Sequence, residues 1–380
     1  MAELSEMLKR IQGSERAQRK INIPKGTIRL DMGEPDFPTP AHIQEAAIKA
    51  LGENFTHYGN AYGDQGLREV ICSAIKRDYG ADYGPENVLI TAGGVEAVHL
   101  IAGTYLNPGD EAIVIDPDYS AYAEAISLFG GKPIYVPTDR DLRIDLKQIE
   151  NHVSDKTKMI FLSNPCNPTG NVLLESEVRG LARIAKEKNI LIVVDEVYHK
   201  LVYDDAGFFS ICQVGEVRDR AILLNSFSKT YAMTGWRVGY LVADARIIKD
   251  LVGLHKSALL CVSSFSQKAC ITALTGPQDC VESMRKEYDR RRKKVVEILG
   301  GIDRILTHPC RGTFYFFPRF DHNLTSRELT DYLFEKKLLV RSGTEFGGNG
   351  QKHFRITFAT SVEVLEEGLS RLKNALAELD

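Results

Sequence analysis

Residues 159–198 read MIFLSNPCNPTGNVLLESEVRGLARIAKEKNILIVVDEVY, and this stretch decides the fold class. Residues 159–163 and 190–195 are short apolar runs, and apolar side chains between them recur at helical spacing at Val178, Leu181 and Ile184. Strands that are apolar on both faces and alternate with helices are typical of a mostly parallel sheet covered by helices. The stretch therefore predicts an α/β fold.

The same alternation extends in both directions along the chain. Further apolar runs occupy residues 88–91, 112–116, 134–136, 221–225 and 238–242. We predict a large α/β domain over residues 39–274 with a mostly parallel central sheet.

The alternation of apolar strands and helices changes after residue 274. A long charged helix is predicted over residues 278–299. Strands are predicted at 313–317, 338–341 and 354–358, and helices at 326–336 and 362–377. We predict that residues 275–380 form a smaller α+β domain and that the N-terminal segment, residues 1–38, packs with it.

The composition is that of an ordinary globular protein. The chain has 380 residues, of which 43% are hydrophobic, and its 48 basic and 51 acidic residues give a net charge of −3. This balance argues against nucleic acid or anionic lipid as a partner. Seven scattered cysteines without a C-x-x-C spacing predict neither a disulfide framework nor a zinc site, and they favour the cytoplasm. We expect no membrane span, because no apolar run approaches about 20 residues, and no leader segment.

Two local patterns lead to further predictions. Thr39 and Pro40 are typical of a helix start, with Thr39 as the N-cap, and Gly52 is typical of the left-handed position after a helix. Residues 290–294, RRRKK, could form a basic patch, but no aromatic residues interleave with them. We interpret them as a solvated face of the long helix, whose apolar stripe would be residues 295–299.

Polar residues follow the predicted strands at the point where each strand ends. GG follows Thr91, DPDY begins at Asp116, NPCNPTG occupies 164–170, DEVY begins at Asp195 and SFSK begins at Ser226. Because the carboxyl ends of parallel strands share one edge of the sheet, we expect these five segments to line one crevice.

Common motifs for such a crevice are absent from the sequence. It contains no G-x-G-x-x-G after a strand, no G-x-x-x-x-G-K-[ST], no G-x-S-x-G and no H-E-x-x-H. These absences weaken the interpretations as a nicotinamide dehydrogenase, a nucleoside triphosphatase, a serine hydrolase or a zinc protease.

Three segments together resemble the class I and II aminotransferases. They are SNPCNPTG at 163–170, DEVY at 195–198 and SFSKTYAMTGWRVGY at 226–240, in this order. The resemblance runs from GEPD at 33–36 to FRITFA at 354–359. It implies a pyridoxal 5'-phosphate (PLP) enzyme of fold type I that moves an amino group from an amino acid to a 2-oxo acid by a ping-pong mechanism.

The resemblance also implies three catalytic residues. Lys229 would form a Schiff base with PLP and then act as general base, which requires an amine that is partly neutral near pH 7. Burial beside other cations lowers the pKa of a lysine in this way. Asp195 would pair with the pyridine nitrogen so that the ring can accept electrons, and Tyr198 would donate to the ring hydroxyl oxygen.

Further residues would hold the cofactor, again by resemblance. The phosphate would lie at the helix start formed by Gly93, Gly94 and Val95, whose N–H groups suit an anion. The remaining cofactor contacts would come from Ser226, Ser228 and Arg237 at the phosphate, Tyr119 stacked on the ring, Asn167 at the ring oxygen, and Tyr58 from a neighbouring subunit. The last of these implies a homodimer with composite active sites.

Arg355 would bind the α-carboxylate of the substrate through two parallel hydrogen bonds, with Gly33 opposite it and Asn167 alongside. Aspartate-type relatives often carry a lysine just after Gly-Gly, where this chain has Val95. We therefore expect a neutral aliphatic or aromatic donor, with glutamate and 2-oxoglutarate as the second pair.

Other functions remain open at this point. The chain could be an aspartate aminotransferase, or a PLP-dependent lyase, decarboxylase or oxidase, because one fold supports several reactions. A PLP-sensing regulator would need a DNA-binding domain upstream, and only about 30 residues precede the resemblance.

Overall fold

The computed structural model describes residues 3–13 and 22–379. Within them the helices are α1 Glu6–Lys9, α2 Ala41–Gly52, α3 Gln65–Tyr79, α4 Gly94–Tyr105, α5 Ala121–Leu128, α6 Leu146–Asn151, α7 Glu175–Glu187, α8 Phe227–Thr230, α9 Ala245–Ala258, α10 Ser264–Thr275, α11 Asp279–Leu299, α12 Ser326–Glu335 and α13 Val362–Ala377. None of these helices is long and apolar enough to cross a membrane.

The strands of the described residues are β1 Ile28–Arg29, β2 Val88–Thr91, β3 Glu111–Asp116, β4 Lys132–Pro137, β5 Thr157–Ser163, β6 Leu191–Asp195, β7 Ala221–Ser226, β8 Gly239–Val242, β9 Ile305–Leu306, β10 Tyr315–Phe316, β11 Arg319–Phe320, β12 Leu338–Leu339, β13 Arg341–Ser342 and β14 Phe354–Thr357. Short 3-10 turns add Pro85–Asn87, Ile211–Gln213, Gly215–Val217, Thr234–Trp236, Gly343–Phe346 and Gly348–Gly350.

A seven-stranded sheet forms the centre of the fold, in the order β2-β8-β7-β6-β5-β3-β4. Strand β8 runs antiparallel to β2 and β7, and the other pairs are parallel. All seven strands coincide with predicted apolar runs, and the predicted α/β class is confirmed. The direction of β8 was not predicted, because strand direction leaves no signal in a run of only four residues.

Both faces of the sheet are buried, which explains why its strands are continuously apolar. In β5, Phe161 belongs to one hydrophobic core, while its neighbours Ile160 and Leu162 belong to the other. Side chains alternate between the two faces of a strand, so a central strand such as β5 contributes to two cores at once.

The C-terminal part of the chain forms a second, smaller set of strands. Strands β10, β14 and β13 make an antiparallel sheet, and β1 pairs in parallel with β12. Through the pair β1 and β12, the N-terminal segment therefore joins the C-terminal part of the chain. The division into residues 1–38, 39–274 and 275–380 stays a prediction.

The predicted ends of helix α2 are wrong. Pro40 occupies the N-cap position, and the Thr39 hydroxyl instead donates to the Ala232 carbonyl at 2.7 Å. Gly52 is the last helical residue, and the left-handed residue that follows is Asn54, with φ 62°. The Thr39 side chain, which the local pattern predicted as a cap, instead forms a hydrogen bond with a residue distant in sequence.

The basic run 290–294 is only partly a solvated face, contrary to our interpretation. Arg291 and Arg292 are buried: Arg291 Nη1 donates to Asp36 Oδ1 at 2.8 Å, and Arg292 Nη2 donates to Asp204 Oδ1 at 2.7 Å. Buried guanidinium groups need such partners, and these come from parts of the chain that are distant in sequence.

Candidate active site

A cavity of about 390 Å³ lies at the carboxyl ends of the central strands. The parallel register places Ser163, the last residue of β5, beside Asp195, the last residue of β6. Twelve of the predicted site residues line this cavity: Gly33, Gly94, Val95, Tyr119, Asn167, Asp195, Tyr198, Ser226, Ser228, Lys229, Arg237 and Arg355. The expected convergence of sequence-distant segments on one crevice is therefore present.

Lys229 lies in the single turn of helix α8, directly after β7. Its Nζ donates a hydrogen bond to the backbone carbonyl of Gly33. Burial, reinforced by the positive charges of Arg355 and Arg237, lowers the pKa of Lys229 from 10.5 to about 8. A neutral fraction of this amine is therefore present near neutral pH, as a nucleophile or general base requires.

Asp195 is a buried carboxylate with two described hydrogen-bond donors. Tyr122 Oη donates to Oδ2 at 2.9 Å, and the backbone N–H of Val197 donates to Oδ1 at 3.1 Å. Burial raises the pKa of Asp195 to about 6, although both hydrogen bonds favour the charged form. The side chain is thus prepared to pair with a cation that enters the cavity.

One end of the cavity has the donors that an anion needs. Helix α4 begins at Gly94, and the N–H groups of a first helical turn have no acceptor within the helix. The hydroxyls of Ser226 and Ser228 lie 2.7 Å from each other, and the exposed Arg237 donates to the Thr234 carbonyl at 2.9 Å.

Gly93, which precedes this helix, contacts the anion end without lining the cavity itself. Its φ is +83°, and a Cβ at this position would lie 2.4 Å from Arg237 Nη2. Glycine avoids the strain of a positive φ and leaves room for the guanidinium. Gly93 therefore allows Arg237 to approach the start of α4.

The opposite end of the cavity holds Arg355, in strand β14. Its Nη1 donates to Asn167 Oδ1 at 2.9 Å, and its Nη2 donates to the backbone carbonyl of Asp31 at 2.9 Å. The guanidinium lies over the Tyr315 ring, 4.1 Å from the centroid. These contacts fix the plane of the guanidinium, which is what bidentate binding of a carboxylate requires.

Gly33 approaches the same region from the N-terminal segment. A Cβ on Gly33 would lie 2.7 Å from Tyr315 Oη and 4.0 Å from Arg355 Nη2. A side chain at this position would therefore reduce the space in front of Arg355.

Several residues of the site were not identified from the sequence. Tyr122 supports Asp195, Tyr315 accepts a hydrogen bond from Tyr198 Oη at 3.1 Å, and Asp118 accepts one from the Ser163 N–H at 3.0 Å. Burial raises the pKa of Asp118 to about 7. Tyr122 lies only three residues after Tyr119, in the first turn of α5, which was a usable signal, whereas Tyr315 resembles an ordinary core aromatic.

Tyr58 does not line this cavity and is 86% exposed. Its loop is held at the start of α10, because Ser264 Oγ donates to the His57 carbonyl at 2.6 Å. Because Tyr58 is not part of the chain's own cavity wall, the predicted contact with PLP requires a second subunit.

Comparison with known proteins agrees with this geometry. A family model for aminotransferase class I and II matches residues 25–372. The chain belongs to this family.

Individual relatives span nearly the whole chain. The aspartate aminotransferase of Pyrococcus abyssi is 38% identical, over 93% of this chain and 92% of that protein. The aromatic-amino-acid aminotransferase 2 of Thermococcus litoralis is 37% identical, also over 93% of this chain and 92% of that protein. The crystal structure of an aromatic aminotransferase from Pyrococcus horikoshii superposes with a TM-score of 0.92 and is 36% identical, over 98% of this chain and 99% of that one. The chain is thus an aminotransferase of a PLP-dependent family.

Proposed function

We propose that this aminotransferase transfers the amino group of a neutral aliphatic or aromatic L-amino acid to 2-oxoglutarate by a ping-pong mechanism, with PLP in the cavity. The observation that carries the proposal is the position of Lys229. Its buried amine, with a pKa lowered to about 8, shares one cavity with Asp195 and Arg355.

The residues present fit PLP. An anion end, a buried carboxylate and an amine are the three groups that the phosphate, the pyridine nitrogen and the aldehyde of PLP need. We assign Gly93, Gly94, Val95, Ser226, Ser228 and Arg237 to the phosphate, Asp195 to the ring nitrogen, Tyr198 and Asn167 to the ring oxygen and Tyr119 to the ring face. When bound, PLP supplies an electron sink that stabilises the carbanion left when a Cα proton departs.

Lys229 has two functions in this proposal. Its Nζ would hold the cofactor in the resting enzyme and would accept and return the Cα proton of a bound substrate. A pKa near 8 suits both functions, because the amine can accept and return a proton at neutral pH.

The substrate-binding end determines which molecules enter. Arg355, with Asn167 and Gly33, would hold the α-carboxylate common to all amino acids and 2-oxo acids. The cavity wall also includes the apolar side chains of Met32, Val95 and Val98, as well as Phe346. Apolar walls favour neutral side chains, because a buried charge without a partner is costly.

A homodimer with composite sites is part of the proposal. Large exposed apolar side chains precede Tyr58 within ten residues of sequence, at Ile48, Leu51 and Phe55. Apolar surface of this kind often marks an interface between subunits. A second copy that covered it would bring the partner's Tyr58 to the phosphate end. Seven unpaired cysteines are in keeping with a reducing cytoplasm as the location.

The test uses purified protein loaded with PLP. Single L-amino acids are added without an acceptor, and the visible absorption band is followed. We expect neutral aliphatic or aromatic amino acids and glutamate to shift the band. Lys229→Ala should abolish turnover, whereas the exposed Lys249→Ala serves as the matched control and should behave as wild type.

Borohydride reduction followed by peptide mapping provides a second readout. We expect the mass increase on the peptide that contains Lys229. A protein that binds no PLP, or that is labelled at another lysine, would refute the assignment.

Aspartate as donor is the second candidate, because the relative from Pyrococcus abyssi is named an aspartate aminotransferase. The same amino acid series decides between the two. A band shift with aspartate, but not with neutral amino acids, would replace the neutral donor in the proposal.

A further inference from the structure

Among the residues that the structure describes, four cationic side chains line the cavity: Lys229, Arg237, Arg341 and Arg355. The proposed function uses three of them and leaves Arg341 without a role. A second carboxylate, the one at the far end of 2-oxoglutarate or glutamate, also lacks a partner in that proposal, since Val95 in the cavity wall carries no charge.

Arg341 and Arg355 are direct cross-strand neighbours. They are paired in the antiparallel register of β13 and β14. Directly opposed residues of an antiparallel pair project their side chains from the same face, with Cβ atoms about 4.5–5.5 Å apart. Like charges in such a pair are unfavourable, so this pairing requires compensating anions.

Two buried carboxylates supply that compensation. Arg341 Nη1 donates to Glu345 Oε2 at 3.0 Å, and Arg341 Nη2 lies 3.7 Å from Asp31 Oδ2. The side chains of Asp31 and Glu345 are only 4% and 5% exposed, whereas that of Arg341 is 26% exposed. Asp31 is also held by Arg29, with 3.0 Å between Nε and Oδ1.

These contacts use only some of the hydrogen-bond donors of Arg341. A guanidinium has five N–H donors, and among the described residues Arg341 donates one hydrogen bond, to Glu345. It therefore lies in the cavity wall, beside the group that binds the α-carboxylate, with donors available for another oxygen ligand. A neutral substrate side chain would leave Arg341 paired with Glu345 and Asp31.

We propose that Arg341 is a specificity-determining residue, which binds the distal carboxylate of 2-oxoglutarate and glutamate while Arg355 binds the α-carboxylate. This inference rests on the proposed function, because it assigns a residue to its acidic substrate pair. It explains how one cavity accepts both a neutral donor and an acidic acceptor.

The test compares L-glutamate with L-glutamine, which has nearly the same shape without the distal charge. Each amino acid is mixed with the PLP-loaded enzyme, and the rate of the single half-reaction is measured as a function of concentration. We expect Arg341→Gln to lower kcat/KM for glutamate by about 10–100-fold, the value of a hydrogen bond to a charged group, and to leave glutamine unchanged.

Arg29→Gln is the matched control. It removes another guanidinium from Asp31, but Arg29 does not line the cavity. We expect it to leave the ratio of the two substrates as in wild type. If Arg341→Gln fails to fold, the double variant Arg341→Gln with Glu345→Gln removes both charges together and should show the same selective loss of glutamate.

Two results would overturn the proposal. One is an equal loss with glutamate and glutamine in the Arg341 variants, and the other is the same selective loss in Arg29→Gln. Either would leave the aminotransferase function in place. A wild-type protein that converts no amino acid would instead refute the proposed function itself, and with it the role of Arg341.

Discussion

The hydrogen bond from Tyr122 to Asp195 offers the sharpest test of the site's electrostatics. Asp195 is buried, which raises its pKa to about 6, and the Tyr122 hydroxyl 2.9 Å away opposes that rise. Tyr122→Phe removes the donor with little change of shape. A hydrogen bond to a charged group contributes about 1.5–3 kcal/mol, and 1.36 kcal/mol corresponds to one pKa unit. We therefore expect the pKa of Asp195 to rise by about 1–2 units.

The assay is the affinity of the apoprotein for PLP, measured by absorbance titration from about pH 5 to 9. In the proposed function, the ionised carboxylate of Asp195 would pair with the ring nitrogen of PLP. The affinity should therefore fall as the pH decreases through the pKa of Asp195, and in Tyr122→Phe this fall should begin about 1–2 pH units higher than in wild type. At a pH well below that pKa, Asp195 is protonated, and this pairing no longer contributes to the affinity for PLP.

Two controls isolate the effect from other titrating groups. Tyr135→Phe makes the same chemical change at a tyrosine outside this cavity and should leave the profile unchanged. Asp195→Asn should remove the contribution altogether. A Tyr122→Phe profile that overlays that of wild type would show that the hydrogen bond does not set the pKa of Asp195.

Two further predictions concern the phosphate end and the dimer. Gly93→Ala should lower PLP affinity at least about tenfold, because the new methyl would clash with Arg237 and because the backbone conformation of Gly93, with φ 83° and ψ 174°, costs a non-glycine residue about 1–3 kcal/mol. Gly235→Ala, where a methyl meets no atom within 4 Å, should bind PLP normally, and equal affinities would contradict the assignment. Lys229→Ala and Tyr58→Ala should each be nearly inactive as pure dimers. Mixed dimers should regain activity at the one site that combines Lys229 with the partner's Tyr58, and no gain on mixing would exclude composite sites.

The central sheet was predictable because each of its strands carries its own signal. A run such as residues 190–195 is apolar on both faces, and this pattern has few explanations other than a covered parallel strand. The site residues at the strand ends follow from the same pattern, since topology alone brings Ser163 and Asp195 to one edge. Predictions failed where a distant group competed with a local one. Thr39 caps no helix because its hydroxyl bonds to Ala232, and Arg291 is buried because Asp36 provides a partner.

Lys229 shows where sequence reasoning about the site reaches its limit. Its chemistry requires a lowered pKa, and the sequence-based expectation was burial beside other cations. The structure supplies both, and the cations are Arg355 and Arg237. Arg237 is close in sequence and lies in the same motif, but Arg355 is more than a hundred residues away; it lines the cavity from strand β14, where its Nη2 donates to the Asp31 carbonyl. The residue that we assign to the substrate carboxylate therefore adds to the effect of burial in lowering the pKa of the amine, and this coupling exists only in the folded chain.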